Sequence, residues 1–168
     1  MSLTASYDDK ASLCKNIGMS NLKLLAYVDT FEKQQYRILE AMKHFNNALE
    51  FNKKSKKKSS EWITNIEDCH LKTLTNAMEI IQYESRESWI DIYYKYRKYS
   101  DNMPTSLIHI NYHIGNLCFL EAVSTLEQTQ YKKCINLIEN SSEPLNSALF
   151  LAKELRMRRW EKILRIFW

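Results

Sequence analysis

The chain has 168 residues, 45% of them hydrophobic, and a net charge of +4, enough for one compact domain that buries most of its apolar side chains. Only two glycines (Gly18, Gly115) and two prolines (Pro104, Pro144) occur, so the residues that punctuate turns and break helices are nearly missing and an all-α protein is expected. No apolar run approaches the roughly 20 residues of a membrane span, and the opening residues carry Asp8, Asp9, Lys10 and Lys15 without an apolar block, unlike a secretory signal. A cytosolic or nuclear protein is the expectation.

Ser6 followed by Asp9 has the pattern of a capping box, and opens a first helix expected to end near Gly18. Ser20 is the expected cap of a second, in which Leu24, Leu25, Val28, Phe31, Tyr36, Ile38, Leu39, Met42, Phe45 and Leu49 recur mostly at helical steps. Such a helix, running to about Asn52, exceeds the usual globular length, so a break near Thr30 is expected. The run Lys53-Lys54-Ser55-Lys56-Lys57-Lys58-Ser59-Ser60 has five like charges and no apolar anchor, and reads as a mobile loop over about 53–60.

Ser60 is the expected cap of a third helix carrying Trp62, Ile66, Cys69, Leu74, Ala77 and Ile81, which ends near Glu84-Ser85-Arg86-Glu87-Ser88. Ser88 opens a fourth, with Trp89, Ile92, Tyr93, Tyr96 and Tyr99 on one side; Lys95, Arg97 and Lys98 interleave with these aromatics, but helical spacing favours core packing over base stacking. After Pro104, Thr105 or Ser106 caps a long helix through Leu126. Tyr131–Glu139 then forms a shorter partner, Asn140–Ser142 a turn, Pro144 the first turn of another helix, and Arg158–Trp168 the last element. The whole reads as antiparallel helical hairpins, about six to eight helices stacked as a short solenoid or an irregular bundle.

Charge is unevenly placed. Lys53–Lys58 contributes +5 and Lys153–Trp168 another +4, which leaves the remainder at −5. A mildly acidic body with two basic spots is not an evenly basic nucleic-acid-binding domain. Cys14, Cys69, Cys118 and Cys134 are widely separated without a C-x-x-C pair, so reduced thiols are expected rather than a zinc site or redox pair. His109 and His113 have the spacing for one metal ion, with Cys118 and Glu121 further along the helix, but Ile110 stands where a metalloprotease has its glutamate. No catalytic, cofactor or metal site is therefore expected, and the protein reads as a non-enzyme.

The segment Tyr112-His113-Ile114-Gly115-Asn116 followed by Tyr131-Lys132-Lys133-Cys134, then Ala148 to Leu155 followed by Trp160-Glu161-Lys162-Ile163-Leu164, resembles tetratricopeptide-type or related α-solenoid hairpins; Gly115 and Tyr131 match that family's glycine-to-aromatic spacing, and Phe45-Asn46-Asn47-Ala48-Leu49 resembles a B-helix start. The resemblance implies a protein-interaction scaffold of the kind found in binding modules and in trafficking or ciliary coat subunits.

The sequence stops inside the apolar run Ile163–Trp168, which suggests a piece of a longer chain or a last helix that docks on a partner. Trp160, Phe167 and Trp168, with Arg158 and Arg159, are the expected partner anchors, for another protein or for self-association through the C-terminal edge. Packing against the preceding helix is the competing reading of the same aromatics. The alternative function is binding of a membrane or other acidic surface through Lys53, Lys54, Lys56, Lys57 and Lys58, in the manner of a BAR-like dimer or of the basic amphipathic helix Arg156–Trp168.

Overall fold

The computed structural model describes residues 5–55, 57–81, 86–127 and 130–167. Among the described residues there are seven α-helices, two short 3-10 turns and no strand, so the all-α expectation holds. The helices group into two compact units, one of residues 1–83 with 99–106, the other of 84–98 with 107–168.

In the first unit, α1 spans Tyr7–Leu24. The Asp9 amide donates to Ser6 Oγ and the Ser6 amide to Asp9 Oδ2, each at 3.2 Å, which satisfies two amides that a helix start leaves unpaired. The helix does not end at Gly18. Gly18 is buried, and a Cβ there would lie 2.7 Å from the Phe45 ring; the glycine lets α1 approach the next helix instead of terminating it. Ser20, the expected cap, lies inside α1 and donates to the Asn16 carbonyl at 2.9 Å. The break comes later, as a 3-10 turn over Leu25–Tyr27 and an extended Val28, before α2 at Phe31–Ser55.

Buried Ile38, Ala41, Met42, Phe45, Ala48 and Leu49 form the inner face of α2, and Phe45, Ala48 and Leu49 meet Ile66 of α3 (Ser60–Ile81) and Met103. The cap of α3 is Ser59, one residue before the expected Ser60: its Oγ accepts from the Trp62 amide at 3.2 Å. The lysine run is shorter as a loop than its charge suggests. Lys53 and Lys54 close the last turn of α2, where cations favour the helix dipole, and the Lys58 amide donates to buried Asn52 Oδ1 at 3.1 Å.

Segment Tyr99–Ser106 is stitched to this unit by polar contacts. Asn46 Oδ1 accepts from the Asn102 amide and side chain at 3.1 and 3.0 Å. His70 is fully buried, with Nε2 3.1 Å from the Tyr99 carbonyl and Nδ1 2.9 Å from Ser106 Oγ. A carbonyl only accepts, so Nε2 carries the proton and Nδ1 accepts from the serine hydroxyl. Ser106 is thus a core hydrogen-bond donor, not a helix cap, and Pro104 is the first residue of α5, where its missing N–H costs nothing.

The second unit holds α4 (Arg86–Arg97), most of α5 (Pro104–Glu127), α6 (Tyr131–Glu154), α7 (Arg158–Leu164) and a closing 3-10 turn at Arg165–Phe167. Helix α4 begins at Arg86, before the expected cap Ser88; residues 82–85 of the expected boundary lie outside the described residues. Ile92, Tyr93 and Tyr96 are buried, and the Tyr93 ring stacks on His113 at 5.3 Å. This is the packed aromatic face that the spacing predicts. Arg97 binds both carboxylate oxygens of Glu143, at 2.9 and 2.7 Å, which holds that carboxyl below its ordinary pKa.

The turn expected at Asn140–Ser142 is absent: Tyr131–Glu154 is one helix with Pro144 inside it. Proline removes the N–H that the Asn140 carbonyl would accept. Ser141 Oγ donates to the Ile138 carbonyl at 2.7 Å just before it. Cys134, Ser141, Leu145, Ala148 and Ala152 nonetheless form one continuous buried face, so packing along the whole face outweighs the local cost of about 3 kcal/mol. Opposite it stands Gly115, where a Cβ would lie 2.8 Å from Leu145 Cδ2.

Candidate functional site

The C-terminal segment reaches its place through a Schellman turn. The Met157 amide donates to the Ala152 carbonyl at 2.8 Å and the Arg156 amide to Lys153 at 3.0 Å, with Arg156 at φ 54°. These bonds end α6 and turn the chain back. Leu164 is then buried with Ile108, Leu145, Ala148 and Ala152. Trp160 rests edge-on against His109 at 4.5 Å and Tyr112 at 5.4 Å, and Phe167 against Tyr112 at 6.1 Å and Phe119 at 6.0 Å.

Trp160 and Phe167 are therefore packed on their own unit, while Arg158 and Arg159 are exposed beside them. Trp168 lies outside the described residues. The order of these contacts shows that the segment advances along α5 toward higher residue numbers.

Where the segment stops, a groove continues. Helices α5 and α6 run antiparallel, since Asn111 Nδ2 donates to Ser147 at 3.3 Å, Gly115 faces Leu145, and Glu121 pairs with Lys133 at 3.8 Å. Tyr112 of α5 and Leu149 of α6 lie in the cluster that the C-terminal segment covers. Helical steps carry those faces onward to Phe119, Val123 and Leu126 on α5, and to Ile138, Ile135 and Tyr131 on α6.

These six side chains are 42–62% exposed. Sequence reasoning named Tyr131 only as a hairpin aromatic and singled out none of the six as a docking residue, although α5 offers a signal: its only charged residues are Glu121 and Glu127, so it is apolar over more of its circumference than one core contact requires.

The lysine-rich end of the first unit has a different character. Lys10 and Lys54 lie over the Tyr7 ring at 5.5 and 5.9 Å, and Lys15 and Lys58 over Trp62 at 5.7 and 5.5 Å. The expected run thus gains Lys10 and Lys15 from α1. Part of its charge is already neutralised, because Lys58 pairs with Asp8 at 2.8 Å and Lys54 with Glu50 at 3.1 Å. Lys53 donates to Asn102, Lys57 is exposed, and Lys56 lies outside the described residues. An open cleft of about 690 Å³ beside Trp62 is lined by Lys15, Ser59 and Ser60 together with Glu61 and Asp68.

His109 and His113 turn to different neighbours, Trp160 and Tyr93. Burial pushes the His113 pKa down to about 4, with a further lowering from His109, and also lowers that of His109. Among the described residues no three metal-ligating side chains converge, and no helix is long and apolar enough to cross a membrane. All four cysteines carry free thiols.

Comparison with protein-family models, with curated proteins and with solved structures gives no match. The groove is the feature on which a functional reading has to rest.

Proposed function

We propose that this protein is a non-enzymatic protein-interaction module whose docking surface is the open groove between the distal halves of α5 and α6. The observation that carries the reading is the exposure of six large apolar side chains in two helical stripes that continue a groove already filled, further back, by the C-terminal segment. A ridge of one helix fits a groove between two others, and apolar, aromatic-lined grooves of this kind suit an amphipathic helix. The resemblance of the Gly115 and Tyr131 segments to the A and B helices of a tetratricopeptide hairpin supports the same reading. Free thiols suit a reducing compartment, which supports a cytosolic or nuclear setting for such a module.

The test is a photo-crosslinking residue at position 135 in living cells, with one at exposed Lys23 as control. A discrete protein adduct from position 135 alone is expected; equal or absent labelling at both positions overturns the reading.

The four lysines over Tyr7 and Trp62 favour a second reading, contact with an acidic membrane surface. Vesicles containing phosphatidylserine should then co-sediment with the protein at low salt and release it near physiological salt. Loss of binding in a Lys10→Ala, Lys15→Ala, Lys57→Ala variant supports this reading, and unchanged binding removes it.

A further inference from the structure

Resting on the groove as a docking surface, we infer that its occupant is a second copy of this chain, with the two α6 helices packed antiparallel across a two-fold axis near Ile135. The argument is one of charge placement. Lys132 and Glu139 are both exposed, lie seven residues apart and so share one flank of the Tyr131, Ile135, Ile138 stripe. About 10 Å of helix separates them, too far for an ion pair within one copy.

In an antiparallel pair centred on Ile135, position 132 of one copy stands opposite positions 138 and 139 of the other. Each Lys132 then meets a Glu139, twice over, and Ile135 packs on Ile135. A parallel pair would instead carry the two copies of this flank to opposite sides of the interface, where Lys132 and Glu139 find no partner. Lys133 takes no part, being drawn to Glu121 at 3.8 Å. The pattern is self-complementary, as an isologous contact requires.

Area gives the expected strength. Six large side chains left 42–62% exposed present about 500 Å² of apolar surface, near the upper end for a monomer. Doubled across a two-fold axis this is about 1,000 Å², the lower bound for a specific interface. An area at that lower bound fits a weak, exchanging dimer rather than a permanent one.

Sedimentation velocity on the full chain, from about 1 μM to about 1 mM, should show the mass-average rising toward that of a dimer. Lys132→Glu and Glu139→Lys should each weaken the dimer about tenfold, and the double swap should restore it, because the pair forms only between copies. Ile135→Asp should abolish association with the circular dichroism spectrum unchanged.

Association that Ile135→Asp abolishes but the double swap fails to rescue overturns the antiparallel register. A chain that is monomeric throughout, while position 135 crosslinks to a different protein, overturns the second copy and leaves the docking surface standing. A monomer with no adduct from position 135 removes both.

Discussion

At the scale of single residues, the two glycines are there for proximity. Neither has a positive φ, and each stands where a Cβ would press on a side chain of the neighbouring helix, Phe45 against Gly18 and Leu145 against Gly115. Gly115→Ala gains about 1 kcal/mol in helix propensity and forces Leu145 out of its place, an overpacking cost of about 1–3 kcal/mol. A net loss of up to about 2 kcal/mol in urea unfolding is expected; a stabilised variant would mean that α6 can move aside freely. Trp160 is the opposite case: packed on His109 and Tyr112, it should cost about 3–5 kcal/mol when changed to alanine. An effect below about 0.5 kcal/mol, the size of a surface substitution, would return it to the role of a free anchor.

At the scale of elements, two helices are longer than their local signals allow. Helix α1 runs through Gly18 and α6 through Pro144, both because an inner face continues across the breaker. The signals that held are those nothing in the packing opposes: the Ser6 and Asp9 capping box and the break before Phe31. The turn after α6 is made by an unfavourable residue. Arg156 takes the left-handed conformation that glycine adopts without strain, and its Schellman bonds do not use its side chain. Arg156→Gly should therefore raise stability by about 0.5–1 kcal/mol, read as a higher unfolding midpoint; a decrease would show that the arginine side chain itself holds the turn.

At the scale of the whole molecule, each unit holds a histidine whose surroundings favour the neutral form, fully buried His70 in the first and partly buried His113 in the second. Burial lowers the pKa of His70 to about 4, against a smaller raising effect of its bond to the Tyr99 carbonyl, and lowers that of His113 to about 4 as well. A folded pKa below the unfolded value of about 6.5 means that the unfolded chain binds the extra proton first. The stability tied to each group is thus fully present above about pH 6.5 and is lost as pH falls toward 4, on the order of 3 kcal/mol for fully buried His70 and less for His113. Thermal melts at pH 7, 5.5 and 4.5 should show a falling midpoint, and His70→Asn should flatten that dependence. An unchanged slope in the variant would place the acid sensitivity elsewhere.

The sequence by itself determined that this protein is helical, roughly where its helices begin, and that its four cysteines form no C-x-x-C pair. Those properties follow from composition, caps and periodicity, which act within a few residues. Only the tertiary structure decided that Gly18 and Pro144 lie within helices, that Trp160 and Phe167 face inward, and that Tyr131, Ile135 and Ile138 do not. A helix with two apolar stripes has no local term that chooses between them. The choice is made by the helices packed against it, through burial that exceeds any single cap or breaker, and the stripe they leave uncovered is the one available to a partner.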